Sequence, residues 1–247
     1  MVARRIAWIA AALLAAGPAM ADFKPDPNAL VKDLEMTNHA DDRLTIVLWL
    51  PTEFWRSSLE NAGKLAPKEI DRFVKELDPY VVVAVADGTS GIAGSVNFAD
   101  PDVLKSSMTI EDARGNLLSA LPDNDVSQGV RNLVQIMRPI FGNMLGALGA
   151  HLAVVVFKGV DKAGHHTVEP TRDGKFVVHV GTLTMQYRLP LASLLPPAID
   201  PGTGESFPGN YHFNPFTGGK LAPAPADAPK PPGEPPPAVA PGAPKSP

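Results

Sequence analysis

Three short apolar runs limit the folds open to this chain. Leu44–Leu50 (LTIVLWL), Tyr80–Ala86 (YVVVAVA) and Leu152–Phe157 (LAVVVF) are six or seven residues long, uncharged and rich in β-branched side chains. A run of that length is short for a buried helix, and β-branched residues suit a pleated surface, so each reads as a largely buried strand. Pro51 stops the first, and Asp87-Gly88 opens a glycine-rich loop after the second.

Helical spacing fills the intervals. Thr52-Glu53 opens a helix carrying Phe54, Trp55 and Leu59, and Pro67 starts a second in which Ile70, Phe73, Val74 and Leu77 share a face while Asp71, Arg72, Lys75 and Glu76 meet water. Asp123–Asp125 caps the longest helix, with apolar positions from Val126 to Leu148 and an expected kink at Pro139. Shorter strands are expected over 95–98, 107–110 and 116–121. A further hairpin, 165–169 with 176–187, is expected to turn at Asp173-Gly174. The sum is an α+β fold, a mostly antiparallel sheet covered by two or three helices, in a single domain spanning 44–221. Residues 22–43 carry two prolines and little periodic patterning, which marks them as an N-terminal lead-in.

The two ends of the chain have different compositions. Residues 1–21 hold Arg4-Arg5, an apolar run from Ile6 to Ala16, Gly17-Pro18 and the small-x-small pattern Ala19-Met20-Ala21. This is the plan of a secretory signal peptide cleaved after Ala21, and it resembles bacterial exported proteins. Loss of Arg4 and Arg5 would take the net charge from −4 to −6. From Ala222 to Pro247 eleven of 26 residues are Pro, a composition that buries too little apolar surface to fold, so a disordered, polyproline-like tail is expected.

Composition removes several function classes. Acidic balance, with a pI near 5.8 and no basic block, argues against nucleic acid. The absence of Cys among 247 residues rules out disulfides, thiolate catalysis and thiolate-bound zinc. Gly88-Thr89-Ser90-Gly91-Ile92 fails the nucleophile elbow at its fifth position and leads to a strand where an elbow needs a helix. The uncharged span 139–157, with Gly142 and Gly146 four apart, has the length of a membrane helix, but Asn143, His151 and the β-branched Val154–Val156 point to a core helix followed by a core strand.

Titratable residues supply the catalytic and metal candidates. A two-residue turn at Asp173-Gly174 would set Val168 opposite His179 and His166 opposite Gly181, leaving His166 and His179 as diagonal neighbours on one face, where two imidazoles can grip one ion. Glu53, beside Phe54 and Trp55 at the end of a buried strand, is the carboxylate best placed to act as a general acid.

The most distinctive text closes the domain. Asp200-Pro201-Gly202-Thr203-Gly204 and Asn214-Pro215-Phe216-Thr217-Gly218 repeat [DN]-P-x-T-G with an offset of 14, each encoding a turn. The pair resembles the two knuckles of a zinc ribbon, with Asp200, Thr203, Asn214 and Thr217 at the four cysteine positions. Without thiolates the zinc function implied by the resemblance is lost. Oxygen donors led by Asp200 remain a metal candidate. The expectation is a metal-free double turn over 200–221 that packs Phe207, Tyr211, Phe213 and Phe216 onto the domain and supplies its binding residues.

An exported binding or accessory protein of the cell envelope, with a protein or envelope partner, no cofactor and no evident catalytic motif, is the function expected. Two alternatives are a periplasmic hydrolase using His166, His179 or Glu53, and a membrane-acting protein using the 139–157 span.

Overall fold

Every residue from Val81 to Gly88 is buried, and they form most of β3 (Tyr80–Ser90). Successive side chains of a strand point to opposite faces, so Val81, Val83 and Val85 enter one core while Val82, Ala84 and Ala86 enter another. On one side β2 (Arg43–Trp49) pairs with β3, setting Thr45 opposite Asp87 and Trp49 opposite Val83. On the other, β7 (Ala153–Lys158) sets Val155 opposite Val83. With β1 (Glu35–Ala40) beside β2 and β4 (Val96–Phe98) beside the end of β3, these make a five-stranded antiparallel sheet. The computed structural model describes residues 23–91, 95–112, 114–145 and 147–224. The signal-peptide reading of 1–21 and the tail from 225 onward lie outside them.

The sheet is covered on both faces. A second antiparallel sheet, in the order β6 (Leu117–Ser119), β5 (Met108–Glu111), β8 (Gly174–Val180), β9 (Leu183–Leu189), packs Met108, Ile110, Phe176, Val178, Val180, Met185 and Tyr187 against the odd-numbered valines of β3. Trp49 sits between the layers, its ring 4.7 Å from Phe176 and 5.6 Å from Tyr187. The Tyr187 hydroxyl donates to the carbonyl of Leu34 at 2.9 Å, and burial pushes its titration well above the ordinary tyrosine range. Against the opposite face lie α2 (Thr52–Ala62), α3 (Pro67–Leu77) and α5 (Gln128–Leu145), contributing Trp55, Leu77, Val130 and Met137. The expected α+β, mostly antiparallel single domain is therefore present, built as helices on sheet on sheet.

Local expectations fail at identifiable places. The segment 22–43 is not a bare lead-in: α1 (Pro27–Leu34) starts at an Asp26 cap that accepts from Asn28 N at 2.9 Å, buries Leu30 and Leu34 completely, and runs into β1. Two leucines four apart gave too faint a period to show this without the sheet they pack on. A helix over Pro101–Ser107, α4, was not read from the sequence, although Asp100 caps it and Pro101 opens it. The hairpin of β8 turns at Gly181-Thr182, not at Asp173-Gly174, so His179 stands opposite Thr184. His166 instead bridges Val160, and the diagonal His166–His179 pair does not form.

The uncharged 139–157 span divides between α5, which continues through Pro139, the short α6 (Ala147–Ala150) and β7, a buried strand paired with the central β3. Among the described residues no helix is long and apolar enough to cross a membrane.

Register between β2 and β3 is fixed by a polar clamp. Asp87, 6% exposed, accepts from Arg43 Nε at 2.7 Å, from Arg43 Nη2 at 2.8 Å and from Thr45 Oγ1 at 2.7 Å. Burial alone would raise this carboxyl, but the hydrogen bonds from Arg43 and Thr45 and the guanidinium charge outweigh it and hold it below the usual carboxylate range. Asp87→Ala should lower the unfolding free energy at pH 7 by about 2 kcal/mol, less than for a fully buried pair because Arg43 is half-exposed. A carboxyl depressed in the folded state stabilises above its unfolded pKa of about 3.9 and loses that contribution as pH falls through the folded value. Denaturation midpoints of the two proteins should accordingly converge in acid.

Candidate functional site

Residues 198–223 form a small three-stranded ribbon in the order β11 (Ser206–Phe207), β10 (Ala198–Ile199), β12 (Ala222–Pro223). Ala222 and Pro223 thus belong to a sheet edge, where Pro is tolerated, and not to the tail. The two [DN]-P-x-T-G turns close its ends and are built alike. Oδ1 of Asp200 accepts from the amides of Gly202 at 2.8 Å and Thr203 at 3.4 Å; Oδ1 of Asn214 accepts from Phe216 at 2.8 Å and Thr217 at 3.2 Å. Gly204 N and Gly218 N each donate to the carbonyl four residues back at 2.8 Å. Both glycines sit at positive φ, 74° and 73°, where other L-residues are strained.

The turns meet at their first residues. Asn214 Nδ2 donates to Asp200 Oδ2 at 2.6 Å, with both residues buried. That bond, joined by the Gly202 and Thr203 amides, holds the Asp200 carboxyl below the ordinary carboxylate range against partial desolvation.

Contacts at Gly209, Asn210 and Ala224 tie the ribbon to the domain. A Cβ on Gly209 would lie 2.5 Å from the Pro196 carbonyl oxygen, so only glycine lets the chain come this close. Asn210 Nδ2 donates to Pro190 O at 3.0 Å, and Ala224 N to Pro197 O at 2.9 Å.

The aromatics divide sharply. Phe207 is buried with Ala198 and Leu221, but Tyr211 is 43%, Phe213 60% and Phe216 82% exposed. Of the four expected to pack onto the domain, Phe207 is buried within the ribbon itself, against Ala198 and Leu221, and the other three are exposed, because three short strands leave no layer to cover them. Tyr211 and Phe213 flank His212, whose carbonyl accepts from Leu221, and the Phe216 ring lies 6.4 Å from Phe207.

The other candidates lie on the main domain. His179 is engaged at both ring nitrogens, Nδ1 with Thr184 Oγ1 at 3.0 Å and Nε2 with Glu111 Oε1 at 2.9 Å. Glu111 was not singled out in the sequence; it reaches His179 only because β5 pairs with β8, a contact between residues 68 apart. Glu53 and His166 both line a cleft of about 190 Å³, together with Trp49, Asp78, Tyr80 and Glu169. Thr52 lines it too, and its Oγ1 donates to Glu53 at 3.1 Å.

Among the described residues no group of three or more His, Asp or Glu is placed to hold a metal ion. Around Asp200 the donor set is one carboxylate whose oxygens already accept three N–H groups, an amide that donates, and two threonine hydroxyls that accept from Glu205 N and Gly219 N at 3.2 Å. It does not fit zinc, which takes a tetrahedron of thiolates in such ribbons.

Comparison with protein-family models, with curated proteins and with solved structures finds no match to this chain.

Because the folded Asp200 carboxyl is depressed, its hold on the ribbon is fully present above the unfolded pKa of about 3.9 and fades as pH falls through the lower folded value. Hydrogen-exchange protection of the Gly204 and Gly218 amides, corrected for intrinsic pH dependence, should fall over that acid range while amides of β3 stay protected. Gly209→Ala should loosen the same two amides at neutral pH and leave those of β3 unchanged.

Proposed function

We propose that this chain is an exported accessory protein of the cell envelope that acts by binding, with the ribbon as its contact surface and a protein as its partner. The observation that carries the proposal is the exposure of Tyr211, Phe213 and Phe216 on a segment whose backbone is held by paired turns. Burying one Phe side chain in a partner is worth about 1.5–3 kcal/mol, and aromatic anchors on a rigid support lose little conformational entropy on association. Export rests on the signal-peptide pattern of residues 1–21.

The test is cross-linking capture from a solubilised envelope fraction with the mature protein, followed by a Kd measured against the purified partner. Phe213→Ser with Phe216→Ser should weaken that Kd by at least about tenfold, the equivalent of 1.4 kcal/mol, with no change in the melting of the main domain. A partner that binds the double variant as tightly as the parent protein would remove the ribbon from the interface.

A second reading, hydrolysis, draws support from Glu53 and His166 lining the same cleft. It expects turnover on chromogenic ester, phosphoester or glycoside substrates that is lost in both Glu53→Gln and His166→Ala. Turnover unaffected by either substitution would end it.

A further inference from the structure

The two turns of the ribbon carry the same hydrogen bonds at equivalent positions. Position by position, at an offset of 14, the side-chain oxygen of the first residue accepts from the amides two and three residues on, its carbonyl accepts from the glycine four on, and the threonine hydroxyl three on accepts from the amide five on. The first residue's own amide also donates to the carbonyl five on, at 2.9 Å in one turn and 2.7 Å in the other. Where the first residues of the two turns converge, they are linked by the bond from Asn214 Nδ2 to Asp200 Oδ2.

From this geometry we infer that residues 198–223 are a zinc ribbon that works without its ion, the Asp200–Asn214 hydrogen bond standing where the metal would join the two knuckles. Zinc ribbons need four inward-facing ligands, two per knuckle, to bind a tetrahedral ion. Here Asp200 and Asn214, both buried, take the place of the leading ligand in each knuckle, and Thr203 and Thr217, both exposed, that of the second. The amides that would surround a thiolate are satisfied by the oxygens of Asp200 and Asn214. A single negative charge suffices, because Asn214 presents an N–H to the carboxylate where a second Asp would repel it. The ribbon's shape is thereby independent of metal supply, and its core of Ala198, Phe207 and Leu221 needs nothing beyond that bond and the contacts to the domain.

Two experiments on the full chain test this. In the first, Asp200→Cys, Thr203→Cys, Asn214→Cys and Thr217→Cys are combined under reducing conditions and titrated with Co²⁺. One equivalent should bind with sulfur-to-cobalt charge-transfer bands and tetrahedral d–d absorption, and Zn²⁺ should displace it, while the parent protein takes up neither ion. A variant with the parent's circular dichroism and no stoichiometric cobalt binding would overturn the inference, as would tight binding by the parent.

The second experiment decides the matter should the four cysteines prevent folding. The equivalence of the two turns means the partners can trade places. At pH 8, Asp200→Asn sets two amide N–H groups against each other and Asn214→Asp sets two carboxylates against each other, so each alone should cost Gly204 and Gly218 about tenfold or more in exchange protection. The exchanged pair, Asp200→Asn with Asn214→Asp, should recover protection to within about threefold of the parent. An exchanged pair as poorly protected as either single variant would show that the turns are not equivalent and would sink the inference.

Discussion

A strand buried on both faces cannot stand alone, and β3 imposes that requirement on everything around it. Eight consecutive residues, Val81 to Gly88, are buried, so each face needs a complete covering layer and each edge a hydrogen-bonded neighbour. The second sheet supplies one layer through Phe176, Val178 and Tyr187, and α2, α3 and α5 supply the other through Trp55, Leu77 and Val130. The neighbours are β2 and β7, and the Arg43–Asp87–Thr45 clamp selects a register for the first of them at the end of the strand where apolar packing gives way to polar loop. A slip of one residue would send the valines of β3 to the wrong layers and break the clamp together.

The ribbon obeys a different logic. It buries only Ala198, Phe207 and Leu221 as a cluster, far too little apolar surface to order 26 residues. Backbone hydrogen bonds in the two turns, one buried side-chain bond between them and a glycine pressed on Pro196 take the place of a core. That economy leaves Tyr211, Phe213 and Phe216 facing solvent, with apolar area a partner can bury. The same scarcity of layers that fails to cover the aromatics is what makes them usable.

Much of the scaffold was legible from local pattern. β2, β3, β7, α2, α3 and α5 follow from β-branched runs or helical spacing with clear stops, since those signals repeat over six or more residues. α1 was missed because it offers one apolar pair, Leu30 and Leu34, whose meaning depends on the layer beneath it. The turn of β8 was misplaced because Asp173-Gly174 and Gly181-Thr182 are both competent turns, and the choice between them belongs to pairing with β5, 68 residues away at Glu111–His179. His166 and His179 were separated by that choice, and His166 was brought instead to the cleft that Glu53 lines.

In the ribbon, chain text alone specified the two turns, their glycines at positive φ and their likeness to each other, because an Asx-Pro-x-Thr-Gly segment satisfies its own backbone within five residues. That Asp200 meets Asn214, that Phe207 goes inside while Phe216 stays out, and that Gly209 rests on Pro196 were settled by packing. Those contacts join segments that share no local constraint, so they arise only when β10 pairs with both β11 and β12 and the domain provides a surface to lie on.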